Sequence, residues 1–203
     1  MKIRPWFLLA AMTAAGCGGY DAPSEVTLGS LVYTQPAPGA SFTALRTYYL
    51  DPNLEVWEDG TAQPSQIVPS STLTTINARM ASYGYTAVTT PPASGSPPAS
   101  DIGMRLAFLK SNYTYYVSDG YCSLYWVYWA CWPGWAYTSS YSTGTVLMLM
   151  VDTRKTPPAS SVLWATSLYA VLQGSSLENT TALNGALNRA FDQSTYLRTS
   201  AGP

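Results

Sequence analysis

Two cysteines, four tryptophans and a knot of acids are the residues of this 203-residue chain whose types and spacing suggest chemistry. Cys122 and Cys131 lie in YCSLYWVYWACWPGWAYTSSY, a segment that also places Trp126, Trp129, Trp132 and Trp135 at intervals of three. A nucleophilic thiol would need a base, and the chain contains no histidine, so Ser-His-Asp and Cys-His sets and His-ligated metal sites cannot be built from it alone. Two thiols in an oxidising compartment point instead to a disulfide. The tryptophans suit a platform for sugar rings or a peptide, or a belt at lipid headgroups, since Trp is favoured where one end of a site is apolar and the other wet. They equally suit an aromatic cover folded over a sheet. Asp51, Glu55, Glu58 and Asp59 cluster around Trp57, but their spacing is not that of a calcium loop. They are expected to be solvated loop charge. No metal and no cofactor is expected.

The third cysteine carries a different chemistry. Lys2 and Arg4 precede an apolar core, Trp6–Ala15, and the small residues Ala14-Ala15-Gly16 stand directly before Cys17. This is the pattern of a bacterial lipoprotein signal peptide over residues 1–16, with Cys17 becoming the lipid-modified N-terminus. Ordinary secretion, with cleavage near Ala15, is the alternative. Gly18 stands where Asp would signal inner-membrane retention, which directs the expectation to the outer membrane. The apolar core is too short for a membrane span, and no later apolar run approaches eighteen residues.

Composition agrees with an extracytoplasmic address. Only 10% of residues are charged, so solubility rests on hydroxyl and amide side chains. Loss of Lys2 and Arg4 with the leader leaves eight basic against eleven acidic residues, a net charge of −3. Phosphate-backbone binding needs a basic stripe, and a mature chain of this balance has none, so no nucleic-acid partner is expected.

The elements that must position these residues follow from hydrophobic period. Residues 17–30 read as a polar tether and 31–203 as one domain. The arm Thr145–Asp152 is apolar at nearly every position, which predicts a strand buried on both faces at the centre of a sheet, paired as a hairpin with Ser161–Leu172. In the second arm Val162, Trp164, Thr166 and Leu168 alternate against Ala165, Ser167 and Tyr169. Leu31–Thr34 and Ala44–Leu50 read as short strands, and Gly60–Pro69 as loop. Ser70 or Ser71 is expected to cap a helix with Leu73, Ile76, Met80 and Tyr83 on its apolar face, stopped at Gly84. Residues 91–100, PPASGSPPAS, read as a connector. Ile102, Met104, Leu106 and Phe108 share one face of a strand that extends towards Val117. Glu178–Gln193 is a second helix, with Leu183, Leu187, Ala190 and Phe191 on one stripe. The fold class is α+β: a two-layer sandwich with a mainly antiparallel sheet and two helices on one face.

Several of these pieces resemble the domain of unknown function (DUF) 4136 lipoprotein family: FTALRTYYL at 42–50, MASYGY at 80–85, the aromatic segment at 121–141, TGTVLMLMVD at 143–152, VLWATSL at 162–168 and LNGALNRAF at 183–191. In that family an Arg tends to follow the tryptophan of the second hairpin arm, whereas Trp164 precedes Ala165, so a role resting on that Arg does not carry over. The resemblance implies an envelope lipoprotein without established catalytic residues. The expectation is a non-catalytic outer-membrane lipoprotein, held to the membrane by its lipid and facing the periplasm or cell surface. Its contact would be an envelope protein or a glycan. The alternative is a periplasmic hydrolase with a His-free active site.

Overall fold

The computed structural model describes residues 31–59, 61–93, 96–110, 113–116, 138–141, 144–155, 162–169 and 180–199. Nine strands and two α-helices fall within them: β1 Val32–Pro36, β2 Thr47–Glu58, β3 Thr61–Ile67, α1 Ser70–Ser82, β4 Thr86–Ala87, β5 Ile102–Leu109, β6 Tyr113–Tyr116, β7 Thr138–Tyr141, β8 Thr145–Asp152, β9 Val162–Leu168 and α2 Thr180–Gln193, followed by a short 3-10 turn, Thr195–Leu197. Seven strands form one open sheet in the order β1-β9-β8-β5-β2-β3, with β4 also pairing β2. The pairs β2–β5 and β2–β4 are parallel and the others antiparallel. This is the expected α+β architecture.

β8 and β9 form the expected hairpin, from Val146 opposite Leu168 to Val151 opposite Val162, and β8 lies in the interior of the sheet between β9 and β5. Only one face of β8 is fully buried, however. Val146, Met148 and Met150 are inaccessible to water, while Leu147 and Leu149, on the other face, are half-buried. Period-two alternation puts Met104, Leu106 and Phe108 of β5 on the same inner face, with Trp164 and Leu168 of β9. These side chains join Ile76 and Met80 of α1 and Leu187 and Phe191 of α2 in a single core. Both helices therefore cover one face, and the stripe read for α2 is the buried one, with Ala186 added.

Three local expectations are corrected. Residues 61–67 are a strand rather than a loop, because β2 runs twelve residues to Glu58 and turns back at once to pair Glu58 with Thr61. Residues 44–46 are not strand; β2 starts at Thr47. Neither Ser70 nor Ser71 caps α1: Pro69 occupies the N-cap position without a side-chain hydrogen bond, and its carbonyl accepts from the Thr72 and Leu73 amides. The other end behaves as read. Gly84 has φ +91°, its amide donates to the Ala81 carbonyl, and the Tyr85 amide donates to that of Met80, the paired bonds of a Schellman stop.

β6 and β7 pair antiparallel as a separate two-stranded sheet. Leu109 lies opposite Thr145 and Tyr113 opposite Tyr141. Where one strand is expected from Ile102 towards Val117, two are found, β5 in the main sheet and β6 in the two-stranded one.

Candidate functional site

Cys17, Cys122, Cys131, Trp126, Trp129, Trp132 and Trp135 all lie outside the described residues. Of the groups singled out by type and spacing, the acids around Trp57 are the ones the structure places, and it corrects most of them. Asp59 lies in the exposed turn after β2, as read, but the other three are not loop charge. Asp51, Glu55 and Glu58 belong to β2, and Asp51 is only 4% exposed.

The cause is an irregularity in β2. Its parallel register against β5 shifts between Leu50 and Leu54, and Asp-Pro-Asn fills the gap: Asp51 Oδ1 accepts from the backbone and side-chain amides of Asn53 at 2.9 Å each. The bulge is tied to the entry of α1, since the Val68 amide donates to the Pro52 carbonyl. Asp51 then meets Arg105 of β5, a residue that alternation sends to the face without helices. Arg105 Nε stands 3.9 Å from Asp51 Oδ2, and its Nη1 stands 3.6 Å from Glu55 Oε1. Trp57 Nε1 donates to Glu55 Oε2 at 3.4 Å, and Lys110 faces Glu58 at 3.8 Å.

One guanidinium, its side chain 14% exposed, thus sits between two carboxylates. Burial raises the Glu55 carboxyl above its ordinary range, with Arg105 and Trp57 pulling the other way. Burial likewise lowers Arg105, opposed by Glu55 and Asp51, and raises Tyr49, with Asp51 adding to the rise. Each charge is raised in energy by loss of water and partly compensated by its neighbour. Sequence reading missed Arg105. The available signal was a lone cation in the middle of IGMRLAFL, where alternation faces it away from the core.

Most other buried or half-buried polar groups are also engaged, the exceptions among the described residues being Thr199 Oγ1 and Arg79 Nε. Asp101 accepts from the Arg46 and Thr47 amides and the Thr47 hydroxyl at 2.8–3.1 Å, and these bonds hold its carboxyl below the usual range despite the opposing effect of desolvation. Asp152 accepts a bidentate pair from Arg154 at 2.9 and 3.0 Å; desolvation is the largest influence on its carboxyl, and the Arg154 contacts outweigh it, so the value is lowered. Trp164 Nε1 donates to Ser194 Oγ and Tyr196 Oη, both at 3.1 Å. Ser194 is fully buried, which suits an anchor for the indole and not a nucleophile that must reach a substrate. Among the described residues no group of His, Cys, Asp and Glu is placed to hold a metal ion, and no helix is long and apolar enough to cross a membrane.

Comparison with known proteins gives a consistent fold. The family model described as "Domain of unknown function (DUF4136)" matches residues 32–194. A crystal structure of a DUF4136 family protein from Bacteroides thetaiotaomicron superposes with a TM-score of 0.62 at 24% identity, covering 83% of this chain and 97% of that one; at that identity the likeness is one of fold. Two structures of the PelC dodecamer from Paraburkholderia phytofirmans match at 10% identity and TM-scores of 0.37 and 0.36, covering 84% and 83% of this chain and 98% and 97% of theirs. At such scores they inform nothing further about this chain. No curated protein matches.

Proposed function

The chain belongs to the DUF4136 family, and from that premise we propose that it is a non-catalytic lipoprotein of the bacterial outer membrane. An acylated Cys17 anchors it, the domain faces the periplasm or cell surface, and the aromatic segment meets an envelope protein or glycan. The observation that carries the anchor is AAGC at 14–17 behind a charged, apolar leader. The non-catalytic reading is supported by the engagement of four acids: Asp51, Glu55, Asp101 and Asp152 are each held by an arginine, an amide or an indole. A general acid or base needs a free path to substrate.

The proposed Cys122–Cys131 disulfide is supported by composition: with Cys17 lipidated, two thiols are left in an oxidising compartment. A bridge would close a ring holding Trp126 and Trp129 and so lower the ordering cost of binding through them.

Envelope fractionation tests the anchor. The wild-type chain is expected with membranes and the Cys17→Ala chain in the soluble fraction. A mature N-terminus other than a modified Cys17 would overturn the reading. Peptide mass mapping without reduction tests the bridge, with a linked Cys122–Cys131 pair expected and two free thiols the contrary result.

A further inference from the structure

We propose that the β1–β9 edge of the domain rests on the phospholipid headgroup layer to which the chain is anchored. This orientation rests on the acylated Cys17 proposed above.

Three observations carry it. Leu31 and Tyr33 are 49% and 43% exposed on and just before the strand that ends the sheet, and they are two of the four large hydrophobic residues so exposed among the described residues. The edge is rigid. The Tyr169 amide donates to the Leu31 carbonyl and the Ala37 amide to that of Leu163, so both ends of β1 are fixed to the sheet. Charge is also divided across the domain. No Asp, Glu, Lys or Arg occurs from 31 to 45 or from 162 to 169, whereas 47–67 carries Asp51, Glu55, Glu58 and Asp59 with no basic residue.

The anchor makes the asymmetry matter. Leu31 follows Cys17 by fourteen residues, a reach of at most about 50 Å when extended, which keeps β1 within range of the lipid. Four acids of 51–59 against Arg105 and Lys110 leave the β2 side of the sheet net negative, which an anionic headgroup layer repels, whereas the neutral β1–β9 edge is free to approach. Tyrosine and leucine at that edge match an interface that is apolar on one side and wet on the other. Ile67 is more exposed still, at 69%, but it ends β3, beside the acidic strand and in an edge that contains Pro64. It provides the internal control.

The test is amide hydrogen exchange on the full-length chain in nanodiscs of phosphatidylethanolamine and phosphatidylglycerol, compared with the Cys17→Ala chain in solution. Amides of 31–37 are expected to exchange about fivefold more slowly, or more, in the disc, with 61–67 unchanged. Tyr33→Asp and Leu31→Asp should each abolish the slowing while acylation and melting temperature are retained. Slowing at 61–67 instead, or at neither edge, in an acylated chain would overturn the orientation alone. An N-terminal peptide without acyl mass in the same sample would sink the anchor and the orientation together.

Discussion

Met148 and Leu147 are neighbours in β8, yet they live in different environments. Met148 is fully buried with Leu106 of β5 in the core beneath the helices, whereas Leu147 lies half-buried on the other face between Ala107 and Ser167. The whole sheet divides this way. Its helix side is a continuous apolar layer of large residues packed on α1 and α2. Its other side mixes small, polar and aliphatic residues, Ala107, Ser167, Leu147 and Leu149 among them, with the Arg105 cluster. A sheet face closed by amphipathic helices can be stabilised by area burial alone. The opposite face must balance desolvated charge against neighbouring charge, a smaller and more condition-dependent contribution.

The largest effect expected from this contrast comes from an acid placed on each side in turn. Met148→Asp buries a charge with no cation near it and should cost at least about 4 kcal/mol, enough to unfold a marginal domain. Leu147→Asp replaces a half-buried side chain and should cost about 1–2 kcal/mol. Denaturant titration of both variants measures the difference. Equal costs would show that the two faces are equally closed.

The helix side was legible in the sequence because it is written in period. The alternation Ile102, Met104, Leu106, Phe108, the stripe Leu183, Leu187, Ala190, Phe191 and the stop at Gly84 each follow from local geometry. The other side was not, for two reasons. TVLMLMV is apolar throughout, so nothing in it distinguishes a closed face from a half-closed one. The acids around Trp57 fit no calcium-loop spacing and so read as solvated loop charge; in the fold Asp51-Pro52-Asn53 makes a bulge inside a twelve-residue strand. Only the pairing of β2 with β5, set by contacts distant in sequence, brings Arg105 to Asp51 and Glu55. The groups with the sharpest chemical types, Cys17, Cys122, Cys131 and the four tryptophans, lie outside the described residues; their reading rests on sequence.

A smaller effect is expected on removing the cation. Arg105→Met leaves Asp51 and Glu55 without the guanidinium between them and should cost about 2–3 kcal/mol at neutral pH, with the loss shrinking in acid as Glu55 protonates. Melting temperature against pH reads this directly. A loss that does not change between neutral and acidic pH would mean that Arg105 acts through packing of its stem and not through its charge.

The smallest effect separates the two classes of acid by sign. Burial raises the folded-state pKa of Glu55 above its ordinary value of 4.5, so above that pH the folded chain holds this proton more firmly than the unfolded chain does. Its contribution is therefore favourable at low pH and is lost as pH rises through the folded value. Asp101 and Asp152 run the other way: both are lowered below 3.8, so their contribution is present above that pH and is lost in acid. Glu55→Gln should remove the first dependence and keep the second. Relative to wild type its melting temperature should gain as pH rises from 4.5 towards 7, within about 1 kcal/mol because Glu55 is partly solvated and the variant loses an ion pair with Arg105. Both chains should still fall together below pH 3.8. If the variant instead lost ground with rising pH, the attraction of Arg105 would outweigh the desolvation of Glu55. The helix-free face would then be held together by its charges, in contrast to a face that merely accommodates them.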